Sequence, residues 1–231
     1  GDEQETIAEK YDTELLKNFQ NSDHTYVLSY ASSYMGIVYK ENMLDPAIGV
    51  PRTTNQLIEW TDSIVRDHNY PFIHFGTEGY WSYFWPVWQA QYDGMDYFQD
   101  NFLMLTDEEG NAPSKDVYLK QDGRYQTLLV LDQLLQADKI APGSSGQDFT
   151  TAQTRFLNSS NIAMMVTGTW LNNEMGTDND NIKMMKTPVI SSIINNPRLE
   201  GSIEDDDELS ALIDAVDAAA SAEEVPIDAE D

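Results

Sequence analysis

Aromatic side chains grouped near strand ends, with no nucleophile beside them, set the chemistry open to this chain. Phe156 to Trp170 reads as a helix end, a polar turn, a short apolar strand (Ile162 to Val166), then Gly168 and Trp170. Glycine directly after a strand permits φ > 0 and a sharp turn. Trp170 is then expected at the mouth of a crevice outside the strand's carboxyl end, where open α/β sheets bind ligands. A flat indole there suits a small molecule with apolar faces and hydroxyl edges, such as a sugar. A second cluster, Tyr80-Trp81-Ser82-Tyr83-Phe84-Trp85-Pro86-Val87-Trp88, follows the strand-end segment Gly76-Thr77-Glu78-Gly79. Tyr80 and Trp81 are expected at a helix N-terminus on a sheet edge, with Trp85 a further candidate. Glu78 supplies a carboxylate and Ser33 and Tyr34 hydroxyls, a mixed lining of the kind small-molecule sites use. Phe84, Trp88 and Tyr92 are assigned to the core.

Other chemistries find little support. His24, His68 and His74 are too widely spaced for a His-Glu-x-x-His zinc helix and belong to no Ser-His-Asp pattern. Neither a dinucleotide fingerprint nor a phosphate loop occurs. Asp178-Asn179-Asp180-Asn181 resembles the start of a calcium loop, but the sixth position of such a register must be glycine. The equivalent position counted from Asp180 is Met185, so a solvated turn is expected. Asp205 to Glu208 reads as acids at a helix N-terminus, where the helix dipole favours negative charge. No pair of carboxylates is placed by its spacing for glycosidic cleavage. No metal, cofactor or catalytic residue is assigned, and binding is favoured over catalysis.

The elements that must position these residues alternate between helix and strand. Ile7 to Phe19 has helical spacing, and Tyr26–Leu28 and Met35–Tyr39 read as strands around a small, hydroxylated Ser29–Tyr34 segment. Thr53 opens a helix with Leu57, Ile58, Thr61, Ile64 and Val65 along one face. Pro71 to Gly76 reads as a buried strand, and Tyr80 to Tyr92 as a helix kinked at Pro86. Arg124–Ala137 and Phe149–Leu157 read as amphipathic helices, the latter capped by Asp148 or Thr150. Leu171–Met175 is a helical turn, Met184–Ile190 an extended segment crossing elsewhere, and Leu209–Ala222 an Ala-rich helix whose apolar stripe (Leu209, Leu212, Ile213, Val216) needs a surface. Alternating elements of this kind predict an α/β architecture.

Composition narrows the partners. With 40 acidic against 13 basic residues, the net charge of −27 disfavours nucleic acid, whose phosphates need Lys and Arg, and disfavours docking on an anionic membrane surface. Hydrophobic residues make up 41% of the 231, enough to build a core. The absence of cysteine removes disulfides, thiolate metal sites and Cys nucleophiles. No apolar run is long enough to span a bilayer, and the first residues are no signal peptide.

Four ordered segments together resemble the family 1 extracellular solute-binding proteins, the sugar-binding components of ABC importers related to maltose-binding protein. Met35-Gly36-Ile37-Val38-Tyr39-Lys40-Glu41 is similar to that family's Gly-Ile-x-Tyr-Asn-Lys segment, with Lys40-Glu41 replacing Asn-Lys in what is expected to be a surface turn. Val50 to Leu57 is similar to its Pro-x-Thr-Trp-Asp-Glu-Leu helix start. Phe156 to Trp170 is similar to its Phe…Ala-Met…Gly-x-Trp signature, with Ser159-Ser160 where Gly-Lys is common. Lys183 to Ile193 resembles the return toward the first lobe in a lipoprotein subgroup.

The resemblance implies two α/β lobes closing over a carbohydrate, each a three-layer αβα arrangement of the type II periplasmic-binding-protein kind around a short mixed sheet. It implies Trp170 as the stacking platform and Tyr80, preceded by Glu78, as an aromatic-polar contact of the same lobe. Ser33 falls at the hinge-side polar position. It also implies a monomer that delivers its ligand to the transmembrane subunits of an ABC permease, lies outside the cytoplasm and is lipoprotein-anchored when full-length. On this expectation residues 1–34 are the end of a first-lobe segment and the hinge crossing, 35–182 the second lobe, and 183–231 the return to the first lobe with an acidic tail. The chain then looks like a second lobe with partial segments of the other, and weak or no sugar affinity is expected of it alone. A glycoside-active enzyme domain, or the same fold binding a peptide or polyamine, are the competing readings.

Overall fold

In a computed structural model, the residues described are 20–21, 24–25, 33–73, 80–98, 121–176, 180–198 and 203–219. The chain divides into two compact units, residues 1–34 and 35–231. In the first, β1 (Gln20–Asn21) pairs antiparallel with β2 (His24–Thr25). The expected helix over 7–19 and strand over 26–28 lie outside the described residues.

The second unit is built on four strands in the order β4-β5-β3-β6: β3 (Met35–Lys40), β4 (Tyr70–Ile73), β5 (Ile162–Gly168) and β6 (Ile182–Met185). β4 and β5 run parallel, and β3 runs antiparallel to β5 and to β6. Because successive side chains of a strand point to opposite faces, the apolar runs feed two cores at once. Ile37, Tyr39, Phe72, Met164 and Val166 join one core; Val38, Ile73, Ile162 and Met165 join the other. All seven residues of β5 are buried, as a strand covered on both faces requires.

The first core is closed by α1 (Thr54–Arg66), α2 (Phe84–Asp93) and α4 (Asp122–Leu134), which contribute Leu57, Trp60, Ile64, Phe84, Trp88, Tyr92, Val130 and Leu134. A short turn, α3 (Met95–Phe98), follows α2. The second core is closed by α5 (Phe149–Asn158) and α6 (Leu171–Met175) through Ala152, Phe156 and Leu171. The result is a mixed α/β fold, a short mixed sheet between helical layers.

Caps follow the sequence. Thr53 accepts from Gln56 N at the start of α1, and Asp148, rather than Thr150, accepts from Thr151 N at the start of α5. The acidic run caps α7 (Asp206–Ala218), where Asp205 accepts from Glu208 N. This helix is tied to the rest of the unit by Arg52 with Asp214 and Asp217, and by Lys186 with Asp217. It buries Leu209, half-buries Leu212 and Ile213, and leaves Val216 49% exposed.

Three local expectations are corrected. The single helix expected over 80–92 is a 3-10 turn, Tyr80–Tyr83, followed by α2. Pro86 is therefore the third residue of α2, where a missing N–H costs nothing because the first four N–H groups of a helix have no intrahelical partner. Lys40 is not in a surface turn. It is 5% exposed, donates to the Ser159 carbonyl, and holds its ammonium 4.9 Å from the Phe156 ring centroid. Burial lowers its pKa to about 8. Finally, the extended segment near 184 begins as β6 on the same sheet, and its continuation bridges Val189 to Thr53. The Trp88 indole donates to Pro188 O at 2.9 Å, and Ile190 N donates to Gln91 Oε1 at 3.0 Å, so this segment is fastened to α2.

Candidate functional site

The parallel pair β4–β5 presents its carboxyl ends, Ile73 and Gly168, on one edge of the sheet. Trp170 follows β5 by two residues and is half-buried. Gly168 holds it there by close approach. A Cβ on Gly168 would lie 2.1 Å from Trp170 Cζ3, 2.3 Å from Cη2 and 2.5 Å from Cε3, so the six-membered ring rests on the glycine backbone. The expected positive φ is not observed: among the described residues the left-handed glycines are Gly49, Gly94, Gly143 and Gly176. Glycine is needed at 168 for space, not for backbone freedom.

Tyr80 meets this ring. Its centroid is 5.4 Å from that of Trp170 at an interplanar angle of 69°, within the range of favourable edge-on aromatic pairs. Phe149, the first residue of α5, stands edge-on to Tyr80 at 4.8 Å and 86°, and Tyr83 lies 6.0 Å away, 58% exposed. Three elements thus converge at the carboxyl edge: the turn after β5, the 3-10 turn before α2, and the start of α5. Below the rim, Gln153 of α5 is buried and donates from Nε2 to Glu174 Oε2 of α6 at 2.7 Å.

The other candidates are placed differently. Trp81 is 5% exposed and packs edge-on against Phe72 at 4.9 Å, in the first core. Trp85 is half-buried with the Arg124 guanidinium 4.9 Å over its ring, at the contact of α2 and α4. Ser33 and Tyr34 are exposed residues of the 1–34 unit. Glu78 lies outside the described residues. The structure therefore brings Trp170 and Tyr80 together and adds Phe149, which the sequence offered only as a helix start. Its signal was position: an aromatic first residue on a helix leading directly into the Trp170 strand.

A groove of about 440 Å³ lies at the opposite edge, where Met43, Leu44 and Asp45 face Ser63, Asp67 and Asn69. It offers carboxylates and amides but no aromatic face, so it does not share the chemistry of the Trp170 rim. Among the described residues no group of three or more His, Cys, Asp or Glu side chains could hold a metal ion. Nor is any described helix long and apolar enough to cross a membrane.

An α/β lobe with an aromatic rim at the carboxyl ends of parallel strands is the arrangement these residues define. No protein-family model and no curated protein matches the sequence. Solved structures do. One is a chitin oligosaccharide binding protein, 19% identical with a TM-score of 0.58 over 76% of this chain and 42% of the other. A sugar transporter from Arthrobacter chlorophenolicus A6 with bound laminaribiose is 12% identical, TM-score 0.56, over 76% and 41%. A family 1 extracellular solute-binding protein from Bifidobacterium longum subsp. infantis is 17% identical, TM-score 0.52, over 80% and 46%. At such identities the likeness is one of fold. The chain spans about two fifths of the length of the first of these structures.

Proposed function

We propose that this chain is a ligand-contacting lobe of a carbohydrate receptor that serves an ABC importer, with Trp170 as stacking platform and Tyr80 as its partner. The observation that carries this reading is the half-buried indole of Trp170, seated on Gly168 and met edge-on by Tyr80 at the carboxyl edge of the β4–β5 pair. A sugar buries its apolar C–H face on such a ring and directs its hydroxyls outward, where edge groups fix orientation. The fold, shared with sugar-binding proteins, supports the same reading. Delivery to a permease, a position outside the cytoplasm, lipoprotein anchoring and a monomeric state belong to this proposal as its finer parts.

Catalysis is the weaker alternative. The described rim is built of the rings of Trp170, Tyr80, Phe149 and Tyr83, whereas glycoside hydrolysis needs two carboxylates flanking the bond. One lobe supplies one wall of a cleft, so binding by this chain should be weak, with Kd near ~1 mM, about −4 kcal/mol. The test is a titration with neutral oligosaccharides followed by Trp fluorescence, run beside Trp170→Ala. Saturation in the millimolar range that the substitution abolishes supports the reading. A flat titration, or turnover of an aryl glycoside, rejects it.

A further inference from the structure

Five residues link the aromatic rim to the buried Gln153 beneath it. Trp170 meets Tyr80, and Tyr80 meets Phe149. Phe149 and Gln153 are one turn apart on α5; Gln153 binds Glu174, and Glu174 N in turn donates to Trp170 O at 3.0 Å. Residues four apart on a helical turn share a face, with Cβ atoms about 5–6 Å apart. Glu174 likewise follows Trp170 by one turn, so its side chain starts from the same face of that turn as the indole.

That carboxylate is neither a freely moving surface acid nor half of an ion pair. Gln153, only 2% exposed, fixes Oε2 at 2.7 Å, while Glu174 itself is exposed. Among the described residues no Lys or Arg forms an ion pair with Glu174, and Oε1 accepts no hydrogen bond. A fixed, uncompensated carboxylate accepts hydrogen bonds and donates none. It rewards a neighbour bearing O–H donors, with the added strength of a charged acceptor. It penalises a ligand that brings its own negative charge, because like-charge juxtaposition suppresses wrong partners.

We infer that Glu174 is the specificity-determining residue of the Trp170 site, selecting neutral hydroxylated ligands and excluding anionic sugars such as uronates. Gln153 is its positioning residue. This inference rests on the carbohydrate reading above and adds to it the charge class of the ligand.

Cellobiose and cellobiouronate, which differ by a hydroxymethyl group against a carboxylate, are the probes, each titrated against the wild-type chain and Glu174→Gln. The glutamine keeps an oxygen for Gln153 and removes only the charge. The wild type should prefer cellobiose by about tenfold, equivalent to about 1.4 kcal/mol, and Glu174→Gln should bring the ratio near one. A preference that survives Glu174→Gln overturns the role of Glu174 while leaving the carbohydrate reading intact. Failure of the wild type to bind either sugar removes both. A ligand-free measurement separates the two. Iodide quenching of the Trp170 emission, taken as the difference from Trp170→Phe and normalised to acrylamide, should rise in Glu174→Gln as the repelling charge is lost. An unchanged ratio refutes the placement of the carboxylate beside the ring.

Discussion

Replacing Gly168 by alanine puts a methyl group into the space now filled by Trp170. The Cβ would stand 2.1–2.5 Å from three atoms of the six-membered ring, whereas ordinary carbon contacts lie near 3.5–4.0 Å. Half-buried at the rim, the indole is free to yield where backbone is not, so it should move outward by roughly 1.5 Å. That movement breaks the edge contact with Tyr80, worth about 0.5–1.5 kcal/mol. Alanine in a strand returns about 0.5–1 kcal/mol relative to glycine by restricting the unfolded chain. Stability should therefore change by less than about 1 kcal/mol, while the orientation of the ring changes fully. Near-ultraviolet circular dichroism and Trp emission read the ring, and urea unfolding reads stability. A double-mutant cycle makes the reasoning quantitative. In a Trp170→Ala background the same Gly168→Ala change meets no ring and should stabilise, giving a coupling of about 1 kcal/mol between the positions. Unchanged aromatic spectra together with additive stabilities would refute the stacked placement of Trp170, and with it the platform on which the functional proposal stands.

Two further perturbations test the scaffold. Lys40, with its pKa lowered by burial to about 8, binds a proton less readily folded than unfolded. Below pH 8 both states are charged and the folded chain carries the whole desolvation cost; between about pH 8 and 10.5 only the unfolded chain keeps the proton, so stability rises with pH. The rise is at most about 3 kcal/mol. Urea midpoints of the wild type and Lys40→Met from pH 7 to 10 should converge on the wild type's gain, and a difference independent of pH contradicts the burial argument. His68 has φ of 60° at the end of α1, where His68 N donates to Val65 O and Asn69 N to Ile64 O, a Schellman closure that favours glycine. His68→Gly should raise stability by up to about 1 kcal/mol, visible as a Tm increase of a few degrees; a fall in Tm would mean that the imidazole makes a contact outweighing the strain.

Particular residues show what kind of information the sequence carried. Thr53, Asp148 and the acids before α7 were legible as caps because capping is a contact between neighbours along the chain. The run Ile162 to Val166 was legible as a buried strand because its composition alone excludes solvent. Pairing was not: that Met184 lies against Val38, in the same sheet, depends on strands 146 positions apart in the chain. Lys40 was misplaced for the same reason, since the wall that buries it, Phe156 with the Ser159 carbonyl, arrives from the far end of α5.

At the rim the division is similar. Residue type and order identified Trp170 and Tyr80 as ring faces near strand ends, because glycine spacing and aromatic density are local signals. That Trp81, the next residue, turns inward onto Phe72 while Tyr80 turns toward Trp170 was decided by the 3-10 turn, which sends adjacent side chains to different sides. Phe149 and the Gln153–Glu174 pair enter only when α5 and α6 pack on one face of the sheet. Sequence by itself determined the α/β class, the caps and the aromatic chemistry on offer, since those depend on composition and on spacing within one element. Tertiary structure alone decided which rings meet, why Gly168 must lack a side chain, and which carboxylate Gln153 holds. Each of those depends on distances between segments that the chain brings together only when it folds.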